Sequence, residues 1–285
     1  MPELPEVETV RRELGPWLTG RTILEARRVE APAGPKYANL ARASGQRILD
    51  VSRRGKFLLL PLSGGDELVV HLGMTGVISP EKPAGHLRVE LVLSGPQPDR
   101  LYFRDARRFG RFLVVRAGAY AALPTLAALG PEPFDPAFTD EVFAASLARS
   151  RGPVKPLLLS QRIVAGLGNI YVDEALFEVG VHPLRPANRV TPSEAAALRR
   201  ASIAILERAI AHRGTTFSDY RTVNGQVGEY ASRLAVYAHE GEPCPRCGTA
   251  IEKLVVGQRG THFCPACQSA PRKKRTRRPS PRPAR

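Results

Sequence analysis

Met1-Pro2-Glu3-Leu4-Pro5-Glu6-Val7-Glu8 opens the chain. An initiator methionine followed by a small residue such as proline is removed during synthesis. Pro2 then becomes the mature N-terminus, a secondary amine beside Glu3. An α-amine titrates at about 7.7–8.0, against about 10.4 for a lysine, so far more of it is unprotonated at neutral pH. Such an amine attacks an electrophilic carbon and forms an iminium, and a neighbouring carboxyl gives or takes the proton. The same residues also read as a stiff lead into a helix. Val7, Val10, Leu14 and Trp17 recur at three- and four-residue steps, with Glu6, Glu8, Arg11, Arg12 and Glu13 elsewhere. That helix holds Pro2 and Glu3 at its N-terminal end, and Gly20 stops it.

Beyond it, residues 22–28, 46–53, 56–62, 67–72, 87–93, 101–104 and 111–116 read as short strands. Ser63-Gly64-Gly65-Asp66 and Ser94-Gly95-Pro96 are among the turn signals between them. This spacing predicts an all-β sandwich or barrel with a leading helix. Pro131-Glu132-Pro133-Phe134-Asp135-Pro136 reads as a linker, after which the pattern turns helical. Helices are expected from Thr139-Asp140-Glu141 to about 149, from a lead of Leu167-Gly168-Asn169-Ile170-Tyr171 through Glu178, and from Thr191-Pro192-Ser193-Glu194 to about 213. The last of these opens on a capping box with proline at the first helical position. Residues 215–230, with mixed polarity and two glycines, read as a mobile loop or an inter-domain connector.

All four cysteines fall in Cys244-Pro245-Arg246-Cys247 and Cys264-Pro265-Ala266-Cys267. C-x2-C-x16-C-x2-C is the spacing of a tetrahedral zinc site, and four thiolates leave no coordination position open, so the metal is structural. Between the pairs a β-hairpin is expected, with Arg259 at its tip in Gly257-Gln258-Arg259-Gly260. There it either enters a DNA groove or stays a solvated turn residue.

The chain has 285 residues, 43% of them hydrophobic, enough for two domains with ample core. No apolar run reaches the roughly 18–20 residues of a membrane span, no signal segment opens the chain, and a cytoplasmic location is the default expectation. Net charge is +15. Residues 269–285 carry eight Lys/Arg and no acid, which leaves +7 for the body. A basic body suits a polyanionic partner. The tail, with its Arg272–Arg278 run, is expected to be disordered and can add attraction but no specificity.

Three shorter motifs hold further candidates. Arg104-Asp105-Ala106-Arg107-Arg108-Phe109-Gly110 sets arginines beside an aromatic, the combination that fills the hole left by an extruded base; it also reads as a strand end with Phe109 in the core. His71-Leu72-Gly73-Met74-Thr75-Gly76 holds one of two methionines, which taken alone reads as core. His71 reads there as a hydrogen-bonded structural residue. Lys56, after Arg53-Arg54-Gly55, reads as a phosphate contact or a solvated lysine.

Taken together and in order, Pro-Glu-Leu-Pro-Glu-Val-Glu-Thr, His-Leu-Gly-Met-Thr-Gly, Asp-Ala-Arg-Arg-Phe-Gly, Gly-Leu-Gly-Asn-Ile-Tyr and the C-x2-C-x16-C-x2-C finger resemble bacterial formamidopyrimidine-DNA glycosylases. The resemblance covers about residues 2–268. It implies an α+β, multidomain fold: an N-terminal catalytic β-sandwich (1–130), a helix–two-turn–helix domain (131–236), a four-cysteine zinc finger (237–268) and a basic tail (269–285). It implies a monomer that binds damaged double-stranded DNA between the domains in the bacterial cytoplasm, associated with the nucleoid. One structural Zn2+ is implied, and no organic cofactor.

By the same resemblance Pro2 attacks C1′ and Glu3 donates a proton. Lys56 serves β-elimination, and Arg259 serves δ-elimination and phosphate binding. Glu6 and Glu174 are supporting acids. Met74, Arg107 and Phe109 fill the void, and residues 215–230 cover the everted base. His71, His86, Lys155, Asn169 and Tyr237 lie on the DNA or lesion side, with Arg151 the phosphate contact chosen from Arg149-Ser150-Arg151. Ala106 stands where the family usually has proline. The implied reaction is excision of 8-oxoguanine and formamidopyrimidines with strand cleavage by β,δ-elimination. The alternatives are an endonuclease VIII-like enzyme for oxidised pyrimidines, whose start tends toward Pro-Glu-Gly-Pro, or a non-catalytic zinc-containing DNA-binding protein.

Overall fold

Proline in the first turn of a helix loses no hydrogen bond, because the first amides have no intrahelical acceptor. Helix α1 (Leu4–Leu18) starts in this way, with Pro5 in its first turn. The computed structural model in which it is seen describes residues 1–270; the expectation for the tail beyond 270 lies outside the described residues. Val7, Val10, Leu14 and Leu18 of α1 are buried against the sheets. Leu4, one turn earlier, is buried in the separate core of the helical unit. The first turn of α1 therefore sits on the seam between the two.

Eight strands make the N-terminal unit: β1 (Ile23–Arg28), β2 (Ser52–Arg54), β3 (Phe57–Pro61), β4 (Asp66–His71), β5 (Gly76–Ser79), β6 (Leu87–Leu93), β7 (Arg100–Asp105) and β8 (Arg111–Arg116). They form two four-stranded sheets, in the orders β1-β6-β7-β5 and β2-β3-β4-β8. Side-chain alternation fixes the packing. Leu58, Leu60, Leu68, Val70, Phe112 and Val114 face Val89, Leu91, Leu101 and Phe103 of the other sheet across one core. On the outer face Phe57, Val69, Leu113 and Val115 are covered by Leu123 and Leu126, the latter from the single turn α2 (Pro124–Ala127). The expected sandwich is present.

Two strands differ from expectation. Segment 46–53 is not continuous: Arg47 and Ile48 make isolated bridges, and only β2 forms a run. Buried Ile48 and Val51 are out of the two-residue period, with Leu49 left exposed. Strand β5 lies outside the predicted set. Its four residues carry little pattern of their own and take their geometry from β7, in register from Gly76 opposite Asp105 to Ser79 opposite Tyr102.

The middle unit contains α3 (Asp140–Ala148), α4 (Val154–Leu159), α5 (Asn169–Glu178) and α6 (Pro192–Ala211). Thr139 Oγ1 accepts from Val142 N at 3.3 Å, and Thr191 with Glu194 forms the expected capping box. Helix α4 is too short for its period to show. Phe143, Leu147, Leu158, Tyr171, Leu176, Leu198 and Leu206 fill the core. The 131–136 linker is stapled to the sandwich: Glu132 pairs with Arg53 at 2.7 Å and Arg54 at 2.8 Å, and accepts from Gly55 N at 2.6 Å.

The finger hairpin is β9 (Glu252–Val256) and β10 (Arg259–Phe263). Gly257 and Gln258 form the two-residue turn, with φ of 55° and 63°, both left-handed as a type I′ hairpin requires. Arg259 therefore lies just past the tip, opposite Val256. Segment 215–230 is anchored at its middle: Tyr220, Thr222 and Val223 are buried. The Tyr220 hydroxyl reaches the carbonyls of Glu6 (3.3 Å) and Arg213 (3.2 Å). Phe217 and Val227 stay exposed. Among the described residues no helix is long and apolar enough to cross a membrane.

Candidate active site

The N-terminal turn is held by a helix end, a helix start and a loop. Pro2 and Glu3 are both buried. The Glu3 carboxylate reaches across the seam to the start of α5, accepting from Ile170 N at 3.0 Å and Tyr171 N at 3.5 Å. Free amides at a helix N-terminus favour an anion there. Only glycine fits at position 168, because a Cβ would overlap the Glu3 carboxyl group. Glu3 N in turn donates to Glu6 Oε2 at 2.7 Å, and Glu6 Oε1 accepts from the Tyr171 hydroxyl at 2.5 Å and Thr215 N at 2.7 Å. Glu6 thus joins the N-terminal turn to α5 and to the base of the 215–230 loop.

This turn lines a cavity of about 200 Å³ to which every unit contributes. Glu3, Lys56 and Met74 line it from the N-terminal unit, Gly168 and Asn169 from the helical unit, Phe217 from the loop, and Tyr237 and Arg259 from the finger side. Met1 lines it as well, and while it is attached the Pro2 nitrogen is an amide without a nucleophilic lone pair. Asn169 Nδ2 donates to Gly260 O at 2.8 Å, tying the start of α5 to the finger hairpin.

Burial controls the charges. Desolvation raises the Glu3 pKa, although Lys56 and the α5 amides pull it down. Desolvation, then the charge of Glu3, raises Glu6 to about 7. Lys56 is buried, and desolvation lowers its pKa against the pull of Glu3 and Glu6. His71 is pushed down to about 4 by burial, then by Lys56 and Arg111. It is neutral at pH 7, and its Nδ1 accepts from Gly73 N at 3.2 Å. Its hydrogen bond and its place beside Phe57, with ring centroids 4.7 Å apart, match the reading of His71 as a structural residue. A carboxyl that keeps its proton toward neutral pH and an amine that loses its own early are the groups acid–base catalysis needs.

Two expected site residues sit elsewhere. Lys155, expected on the DNA side, is completely buried. Its ammonium pairs with Asp173 Oδ1 at 2.6 Å and donates to Thr261 Oγ1 at 2.8 Å and Gly260 O at 3.2 Å. A charge with no water must be paired, and here the pair bolts β10 onto α4 and α5, with Asp173 Oδ2 accepting from His262 N at 2.9 Å. Glu174, expected to support the N-terminal amine or the DNA site, is bonded to the chain at 235–237 and not to the N-terminal turn. Its carboxylate accepts from Ala235 N (2.8 Å), Val236 N (3.0 Å) and Tyr237 N (2.9 Å), fixing the chain that carries Tyr237. Sequence reasoning missed Asp173, Tyr171 and Thr215, whose partners are remote in the chain; Gly168 was visible only as part of Gly-Leu-Gly-Asn-Ile-Tyr.

Phe109 is 49% exposed, which removes the core reading for it. The Arg107 guanidinium lies 4.9 Å from its ring centroid. His86 is exposed, and its carbonyl accepts from Asp105 N at 3.0 Å, so it lies beside the same loop. Arg151 is exposed after α3, apart from the cavity.

In the finger, the four cysteine sulfurs lie within 4.8 Å of one another, with Cys244–Cys267 at 4.0 Å and Cys247–Cys264 at 3.5 Å. A tetrahedron of sulfurs about 2.3 Å from zinc has edges of about 3.8 Å, so the set fits the ion. Amides of Arg246 and Cys267 point at Cys244 and Cys264 Sγ, at 3.4 and 3.5 Å. These residues hold one structural Zn2+, which fixes the finger's shape and takes no part in the chemistry of the cavity.

Family models match in chain order: the formamidopyrimidine-DNA glycosylase N-terminal domain over residues 1–112, its H2TH domain over 129–221, and the zinc finger found in FPG and IleRS over 241–270. A formamidopyrimidine-DNA glycosylase from Thermus thermophilus is 52% identical over 270 residues, covering 94% of this chain and 98% of the relative. The chain belongs to the bacterial formamidopyrimidine-DNA glycosylase family. A further glycosylase of this family, from Deinococcus radiodurans, is 46% identical over 281 residues, covering 94% of this chain and 97% of the relative. The crystal structure of the MutM (Fpg) protein of Thermus thermophilus superposes with a TM-score of 0.88 at 50% identity, covering 95% of this chain and all of that one. Wild-type Lactococcus lactis Fpg in complex with N7-benzyl-Fapy-dG DNA superposes at 0.83 and 35% identity, covering 94% and 100%.

Proposed function

We propose that this glycosylase removes oxidised purines, 8-oxoguanine and formamidopyrimidines, from double-stranded DNA and then cuts the strand, acting as a monomer on nucleoid DNA in the cytoplasm. The observation that carries the reading is the buried Pro2-Glu3 turn, fixed on the start of α5 in a cavity that the sandwich, helices and finger close together. Solved relatives hold Fapy-dG and carbocyclic 8-oxo-G DNA. Loss of Met1 frees the Pro2 amine and clears part of the cavity. Pro2 N attacks C1′ as the bond to the damaged base breaks, and Glu3, whose pKa burial raises, supplies a proton as the sugar ring opens. The resulting iminium acidifies the C2′ proton. Lys56, with its lowered pKa, takes part in the proton transfers by which the 3′ phosphate leaves, and Arg259 holds the phosphates whose second departure completes δ-elimination.

Flipping the damaged nucleotide costs a few kcal/mol. Met74, Arg107 and Phe109 offset it by filling the vacated stack, while Asn169, Tyr237, His86 and Arg151 bind the strand and His71 braces the loop that carries Met74. Phe217 and the loop 215–230 cover the extruded base. Lys155 and Glu174 act one layer back, as positioning residues for Arg259 and Tyr237. Glu6 orders the turn that carries the nucleophile. Excision from 8-oxoguanine:cytosine and thymine-glycol:adenine duplexes tests the substrate class. Faster release of 8-oxoguanine is expected, and faster release of thymine glycol would move the enzyme to the pyrimidine branch.

A further inference from the structure

Void filling asks two loops from different strand pairs to act at one point. Met74 lies between β4 and β5, Arg107 and Phe109 between β7 and β8. Nothing in the sequence says how two loops so far apart in the chain keep their spacing. The fully buried Asp105, last residue of β7, answers this. Its Oδ2 accepts from Gly110 N at 2.7 Å, closing the wedge loop on itself. Its Oδ1 accepts from the Thr75 hydroxyl at 2.6 Å, reaching the residue next to Met74. Thr75 Oγ1 then accepts from Arg107 N at 3.1 Å, so the second loop grips the first a second time. Gly73, at φ 66°, lets the two backbones touch: a Cβ there would sit 2.5 Å from the Phe109 carbonyl carbon.

The geometry points to Asp105 and Thr75 as positioning residues that lock Met74, Arg107 and Phe109 into one preassembled wedge. The inference rests on the void-filling role proposed for those three. A carboxylate that accepts both a hydroxyl and an amide makes charge-assisted bonds, and the buried site leaves no water to replace a lost partner. The Lys36 ammonium, donating to Arg108 O at 2.5 Å, braces the same loop from outside. Without the Thr75 hydroxyl, Asp105 Oδ1 and Arg107 N lose their partners together. The wedge then samples other positions, and part of the free energy of insertion goes into ordering it.

Thr75→Val keeps the shape of the side chain and removes only the hydroxyl. The enzyme lacking Met1 is assayed on an 8-oxoguanine:cytosine duplex and on a single-stranded oligonucleotide with a preformed abasic site, which needs no extrusion. Insertion is followed by fluorescence of 2-aminopurine beside the lesion. We expect excision from the duplex and the insertion signal to slow by on the order of 10-fold. Borohydride trapping on the single strand should stay at the wild-type rate, and Thr75→Ser should restore the duplex rate. Equal losses on both substrates, or a normal duplex rate, would overturn the proposal; Thr75→Ala serves as the second variant should Thr75→Val fold poorly. Phe109→Ala separates the two layers. Full duplex activity in F109A removes the wedge and the clamp with it, whereas a slow F109A beside a normal T75V removes only the clamp.

Discussion

Replacing Lys155 by methionine keeps the aliphatic stem and removes the ammonium that pairs with Asp173. Both side chains are wholly inaccessible to water, and the pair spans 2.6 Å. The substitution deletes that ion pair and the ammonium's bonds to Thr261 (2.8 Å) and Gly260 (3.2 Å). Asp173 keeps its bond from His262 N (2.9 Å), which does not neutralise a buried carboxylate. Removing one partner of a buried pair costs about 3–5 kcal/mol, mostly the penalty of the charge left behind. For a unit of this size that lowers the melting temperature by on the order of 10 °C. Hydrogen exchange at residues 259–263 should accelerate first, because β10 loses its attachment to α4 and α5. The double variant Lys155→Met, Asp173→Asn should recover most of the loss, since the uncompensated charge is gone. Calorimetry and urea unfolding of the three variants give the answer. A K155M enzyme within about 1 kcal/mol of wild type, or a double variant no better than the single, would refute the clamp as the role of Lys155.

Other perturbations have equally definite outcomes. Gly168→Ala should displace the Glu3 carboxylate from the α5 amides and slow 8-oxoguanine excision by on the order of 100-fold, with little change in duplex affinity; a normal rate would detach Glu3 from the chemistry. Glu6, raised to about 7 by burial, binds its proton more tightly folded than unfolded. Stability should therefore fall as pH rises from about 4.5 to 7, by about 3 kcal/mol, and urea midpoints for Glu6→Gln should lack that slope. Stripping the zinc, or Cys247→Ser, should unfold residues 241–270 and weaken duplex binding more than 10-fold, while the sandwich's own melting transition remains; binding unchanged in metal-free enzyme would contradict the finger's role.

Local chemistry made much of this legible. Helix α1, six strands, the capped starts of α3 and α6, and the zinc ligands each carry their signal within a few neighbouring residues. Segment 46–53 and β5 escape such reading because their geometry comes from partners, β7 in the case of β5. In the site, the types of Pro2, Glu3 and Lys56 suggest chemistry, but their burial, and the shifted titration of Glu3 and Lys56, arise only when three units meet. Lys155 and Glu174 show the limit most plainly. A lysine or glutamate near a motif reads as facing the ligand. Whether it turns inward depends on Asp173, on Thr261 106 residues further along, or on a run of amides at 235–237.

In the proposed reaction the Pro2 amine becomes bonded to the sugar. Enzyme whose mass verifies loss of Met1 is incubated with an 8-oxoguanine:cytosine duplex and borohydride, and the adduct is digested and sequenced by mass spectrometry. One reduced crosslink is expected, on the N-terminal peptide at Pro2, absent from enzyme that retains Met1. A crosslink at Lys56, or none at all, would contradict it.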